Sequence, residues 1–109
     1  MQVFIEGHHF QITDAARAYT QSAIEKIERF YSPIIDCHVT LTHENDLYRA
    51  DMITRVQGQT LKSSDHDLKL YKAVDEAVEK MSRQLRKLHD KRRDYRPAPQ
   101  VESNITTGE

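Results

Sequence analysis

The chain has one cysteine, Cys37, so an internal disulfide is excluded and a reducing compartment is the simplest setting. No run approaches the roughly 18 to 20 apolar residues a membrane span needs. The opening MQVFIEGHHF lacks an early basic cluster, a sustained apolar stretch and a small-residue cleavage site, which argues against a secretory signal. There is no phosphate loop, nucleophile elbow or paired-carboxylate motif. The six histidines form no i, i+4 pair and no zinc-spaced set with Cys37. No internal repeat is visible. These absences lead to the expectation of a cytoplasmic protein that is not an enzyme, with no metal, cofactor, small-molecule substrate or membrane attachment.

At 109 residues, 38% hydrophobic and 30% charged, the chain has room for one domain with a modest core. The net charge of −1 conceals a strong polarity. Residues 80 to 96 carry Lys80, Arg83, Arg86, Lys87, Lys91, Arg92, Arg93 and Arg96 against only Asp90 and Asp94, whereas the first 79 residues are net acidic. A positive end on an otherwise negative body is the footprint of an oriented polyanion binder.

Hydrophobic periodicity predicts the elements. Val3 and Ile5 alternate with polar neighbours up to Gly7, which reads as a strand. Thr13 and Asp14 can cap a helix running from about Asp14 to Tyr31, with Ala16, Tyr19, Ala23, Ile27 and Phe30 facing inward. Pro33 ends it. Strands follow at about Ile35 to His43, with Cys37, Val39 and Leu41 inward, at Tyr48 to Gln57, with Met52, Thr54 and Val56 inward, and at Gln59 to Ser64, with Leu61 inward. Ser64 or Asp65 can cap a long helix from about Asp67 to Tyr95, whose Leu70, Val74, Ala77, Val78, Met81, Leu85 and Leu88 make one apolar stripe. The order is β-α-β-β-β-α, an α+β fold. Strands one and two are expected to be parallel neighbours, with both helices on one face of a four-stranded sheet. The other face, with His38, Thr40, Thr42, Ile53 and Arg55, should stay wet. Residues 1–95 form the domain, and 96–109 read as a polar tail.

On the second helix, Lys80, Arg83, Lys87 and Lys91 fall in one stripe beside the apolar face at ~100° per residue, with Arg86 on the far side. Cations near a helix C-terminus also complement its macrodipole, so a merely solvated face is the alternative. The last turns before Pro97 hold too few acids to neutralise these cations internally, which favours a polyanion such as RNA. Lys26 and Arg29 flank the first helix and would extend the stripe into a groove if the helices pack side by side. Cys37 shares the phase of Val39 and Leu41 and reads as a buried small residue. Helix capping accounts for Asp65 and Asp67 more simply than acid–base chemistry.

The run DLKLYKAVD at 67 to 75, followed by KMSRQLRKLHDK at 80 to 91, resembles the bacterial hibernation-promoting factor and ribosome-associated inhibitor (protein Y) family. Tyr71, Ala73, Val74 and Asp75 match the motif that opens that family's second helix, and Arg83, Gln84 and Leu85 match its continuation. The opening MQV, Ile5, Gly7, ITDA at 12 to 15, KIERF at 26 to 30 and VQG at 56 to 58 are similar as well. The resemblance spans about residues 1 to 95 and points to the short form, without a C-terminal dimerisation domain.

It implies a double-stranded-RNA-binding-like fold, monomeric off the ribosome. On the small ribosomal subunit or the 70S ribosome, such a domain would occupy the decoding region, block tRNA and mRNA sites, and stop translation in stationary phase or stress. The RNA-contacting residues it implies are Lys80, Arg83, Arg86, Lys87 and Lys91, with Lys26 and Arg29 on the first helix. The competing expectation is a protein-interaction or assembly module that uses the exposed sheet face.

Overall fold

The computed structural model describes residues 1–29, 31 and 33–93, the last three as backbone only. The elements run β1 (Gln2–His8), α1 (Asp14–Glu28), β2 (Ile34–Glu44), β3 (Leu47–Val56), β4 (Gln59–Asp67) and α2 (Leu70–Arg93). The sheet order is β1-β2-β3-β4, with β1 parallel to β2 and the remaining pairs antiparallel. This is the expected β-α-β-β-β-α architecture. The expected inward residue Phe30, the helix end at Tyr95 and the tail 96–109 lie outside the described residues.

Turn chemistry fixes the registers. Asn45 and Asp46 both adopt positive φ, 51° and 64°, between the paired Glu44 and Leu47. A two-residue hairpin that follows the sheet's twist demands this, and Asn and Asp tolerate it best. Gly58 at φ 91° makes the next reversal, between Val56 and Gln59. Gly7 has a different reason: a Cβ there would lie 2.4 Å from the Phe10 carbonyl oxygen, so the chain leaving β1 folds back over a position only glycine fits.

The Thr13 Oγ1 accepts the Ala16 amide at 3.1 Å and starts α1 as its sequence position predicts. The buried face of α1 is Ala16, Thr20, Ile24 and Ile27, turned away from the expected Tyr19 and Ala23. Tyr19 is 37% exposed because that flank faces α2, not the sheet. Thr20 is tolerated in the core because its Oγ1 donates to the Ala16 carbonyl at 2.8 Å, which gives the buried hydroxyl a partner.

β2 carries a bulge. Ile34 pairs with Val56 and Asp36 with Arg55, so Ile35 is the extra residue; it stands half exposed while Ile34 turns into the core. β4 continues three residues beyond the expected Ser64. Ser64 and Asp65 are good capping residues, yet β3 offers pairing partners as far as Tyr48 opposite Asp67, and a ladder satisfies more backbone groups than an earlier cap. α2 therefore begins at Leu70, and the Asp67 Oδ1 accepts the Lys69 amide at 2.9 Å just ahead of it.

Ile5, Val39, Leu41 and Met52 of the sheet meet Ile24 and Ile27 of α1 and Val74, Ala77, Met81 and Leu85 of α2 in one core. Leu61, Leu70, Val78 and Leu88 pack around it, half buried. Cys37 is inside, with its Sγ 3.5 Å from the Thr54 Oγ1, and burial pushes its thiol up to about 11. A thiol held that far from ionisation behaves as a small apolar residue.

Candidate RNA-binding surface

Two contacts fix how the helices lie. At one end the Tyr19 hydroxyl donates to the Asp75 Oδ1 at 2.6 Å, and its ring stacks on Tyr71 with centroids 4.4 Å apart. Farther along, Tyr31, just past α1, meets His89 edge to face at 5.9 Å. Early residues of α1 thus pair with early residues of α2, and late with late, so the helices run parallel and their C-terminal ends share one end of the domain. Lys26, Arg29, Arg86 and Lys87 collect there and are all exposed. The carbonyl ends of both helices favour positive charge at the same place. Nothing in the sequence of either helix alone shows this convergence.

The basic residues divide into two rows, which changes the expected groove. On α2, Tyr71, Asp75, buried Ser82, Arg86 and His89 fall within about 60° of one another, on the flank that touches α1. Lys80 and Gln84 reach β4 instead, and Arg83 and Lys87 lie on that same flank. On α1, Lys26 sits about 20° from Tyr19 and so faces α2. The groove between the helices therefore joins Lys26 to Arg86. The Lys80 stripe runs down the opposite side of α2, and the side chain of Lys91, its last member, lies outside the described residues.

The stripe is not uniform. Lys80 Nζ donates to the Ser64 carbonyl at 3.1 Å and lies 3.2 Å from the Asp65 Oδ2, so its charge is already engaged on β4. The Asp65 carboxyl is held below the usual carboxylate range, first by the His66 amide and then by Lys80. Arg83 Nε lies 3.4 Å from the Glu79 Oε2, a pair exposed on both sides and one turn apart. Exposed pairs contribute about 0–1 kcal/mol, so Glu79 holds Arg83 only weakly.

Two features went unread in the sequence. The Tyr19–Asp75 hydrogen bond raises the tyrosine pKa and fixes the helix pair; Tyr71 and Asp75 were visible as motif residues, but nothing marked Tyr19 as their partner. On the wet face, Asp36 is buried beneath Arg55, whose Nε lies 3.0 and 3.1 Å from its two carboxylate oxygens, and Phe4 stacks on His38 at 4.5 Å. The pairing of 36 with 55 follows the register set by the hairpin at Glu44 and Leu47, which alternation within a single strand does not reveal.

The histidines are dispersed. His9 Nδ1 lies 2.8 Å from the Glu44 Oε2, His43 stacks on Tyr48 at 4.1 Å, and His8 stacks on His9. Among the described residues, no group of three or more His, Cys, Asp or Glu could hold a metal ion. No described helix is long and apolar enough to cross a membrane.

A four-stranded sheet backed by two parallel helices with cations at their shared C-terminal end defines a small α+β domain with one basic end. The family model described as "Sigma 54 modulation protein / S30EA ribosomal protein" matches residues 3–93, and the chain belongs to that family. It is 32% identical over 95 residues to the ribosome hibernation promoting factor of Klebsiella oxytoca, covering 87% of this chain and all of that one. The fold is shared with the N-terminal domain of Thermus thermophilus protein Y, at TM-score 0.75 and 24% identity over 81% of this chain and 99% of that one. A ribosomal subunit interface protein from Coxiella burnetii superposes at TM-score 0.78 and 22% identity, over 83% and 99%.

Proposed function

We propose that this chain is a ribosome hibernation factor that attaches to the small ribosomal subunit by the basic end of its helix pair and silences translation by occupying space. The convergence of Lys26, Arg29, Arg86 and Lys87 where the two helices end carries this reading, in a family whose relatives bear the name of hibernation factors. Attachment is electrostatic: each Lys or Arg that meets a phosphate releases condensed counterions, and folded rRNA is read through its backbone and shape. Arg83, Lys87 and Lys91 supply one row of contacts, Lys26 and Arg86 a second, and Arg29 adds a charge at the end of α1. Lys80 contributes less, because its ammonium is engaged on β4.

The domain of residues 1–95 sits in the decoding region, where its bulk excludes tRNA and mRNA during stationary phase or stress, with 96–109 as a polar tail. It is monomeric off the ribosome and is not an enzyme. Sedimentation of the purified protein with small subunits and 70S ribosomes through sucrose gradients, with chemical footprinting of the bound rRNA, tests this. Co-sedimentation with protection confined to the decoding region is expected; protection elsewhere, or none, overturns it.

A further inference from the structure

The face of the sheet away from the helices carries an ordered row across all four strands. Phe4, His38, Ile53 and Lys62 are successive cross-strand partners, so they stand side by side. Phe4 is 43% exposed, and its ring is stacked on His38 at 4.5 Å and 18°. Since β1 is an edge strand and His38 covers the β2 side of the ring, the other face of Phe4 is turned to the open edge. Two guanidinium groups flank the row, each set by a carboxylate on its own face. Arg55 is held by buried Asp36, and Arg49 Nε lies 3.1 and 3.0 Å from the two oxygens of Asp51. Each keeps just over half its side chain exposed.

We infer that this face is a second nucleic-acid site, one that takes a short single strand with one base stacked on Phe4, a phosphate near Arg55 and the strand continuing toward Lys62. The chemistry favours a base over a protein surface. Of the exposed apolar residues, Phe4 and Ile53 are separated by His38 and bordered by Glu6, Thr40 and Thr42, while Leu47 and Ile35 lie toward opposite ends of the sheet, which leaves no continuous apolar patch for an interface core. A stacked base needs only one ring, and a pre-set guanidinium suits a phosphate oxygen. Sheets with helices on one face and exposed aromatics on the other commonly bind single strands this way. The face sets Arg49, Arg55 and Lys62 against Glu6, Asp36, Glu44 and Asp51, so its binding depends on stacking and only weakly on salt. The helix end is the reverse.

The test uses fluorescently labelled hexaadenylate, followed by anisotropy, on the chain with Arg83, Lys87 and Arg86 changed to Gln to reduce binding at the helix end. Hexaadenylate should bind with a shallow salt dependence. Phe4→Ala should weaken it between about 5-fold and about 150-fold, the range for loss of one base–aromatic stack, while Phe4→Tyr retains it. His38→Ala, which removes the ring behind Phe4, should also weaken it and serves as the second variant if Phe4→Ala does not fold. No hexaadenylate binding, or equal binding by both alanine variants, overturns the inference, as does a protein partner that competes with hexaadenylate through Phe4. Failure of the unmodified chain to co-sediment with ribosomes would count against the hibernation reading and leave this result standing.

Discussion

Lys80 of α2 holds the carbonyl oxygen of Ser64, 3.1 Å away on the outermost strand of the sheet. Gln84, one turn on, donates to the Lys62 carbonyl at 2.6 Å, and the Asp65 Oδ1 accepts the His66 amide at 2.8 Å. Residues two apart on a strand point their backbone groups the same way, so these bonds cover one row along the free edge of β4. At the opposite edge, Arg17 Nη1 donates to the Ile5 carbonyl at 2.8 Å. Unpaired edge groups invite pairing with another chain, and side chains from the helices cover part of both edges.

Lys80→Met combined with Gln84→Met should therefore increase concentration-dependent self-association, read by sedimentation velocity, with little change in helix content. A double variant that stays monomeric at every concentration would show that the edge needs no such cover. Lys80→Gln should also lower the salt slope of ribosome binding by less than Lys87→Gln does.

Replacing Arg83, Lys87 and Lys91 together with Gln should leave the fold intact, because these positions lie off the core face and Gln has similar helix propensity. The log–log salt slope of ribosome binding should fall by about 2–3 if all three meet phosphates. Unchanged co-sedimentation at moderate salt would remove this flank from the binding surface.

Tyr19→Phe deletes the hydrogen bond to Asp75 and keeps the stack on Tyr71. The loss should be below about 1.5 kcal/mol in chemical denaturation, since an exposed hydrogen bond exchanges readily with water. The Asp75 hydrogen bond raises the Tyr19 pKa, so the ultraviolet titration of Tyr19 should move earlier in Asp75→Asn. Superimposable titrations would mean that the bond is not made in solution.

Asp36 is held below its ordinary pKa, first by the hydrogen bonds from Arg55 and more weakly by His38. A carboxyl depressed in the folded state contributes stability that is complete above the unfolded value near 3.8 and is lost as pH falls through the folded value. Thermal midpoints of the parent should therefore drop below about pH 4 more steeply than those of Asp36→Asn, which should already be less stable at neutral pH. Parallel pH profiles would contradict the pairing.

Met81 is fully buried at the centre of α2's inner face. Met81→Ala should cost about 2–5 kcal/mol by leaving a cavity, while the remaining folded protein still binds ribosomes. A variant as stable as the parent would mean that the helices collapse onto the gap.

The alternation in β2 and β3, the Thr13 cap and the stripe from Leu70 to Leu88 were legible because each reflects contacts within a few residues of chain, where a period of 2 or 3.6 sets what is buried. The bulge at Ile35, the extension of β4 to Asp67 and the exposure of Tyr19 were not. Each depends on a partner far along the chain: Arg55 and Val56 for the bulge, Tyr48 for the end of β4, Tyr71 and Asp75 for Tyr19.

The sequence by itself determined the order of elements, most of the core and the presence of a surplus of cations near the end of α2, since composition and periodicity are properties of the chain alone. Tertiary structure decided which cations stand together. It made the helices parallel, brought Lys26 to the flank of Arg86, and turned Lys80 onto the edge of β4. Charge at a helix end is written locally, but a binding surface exists only where packing brings separate elements to one side of the molecule.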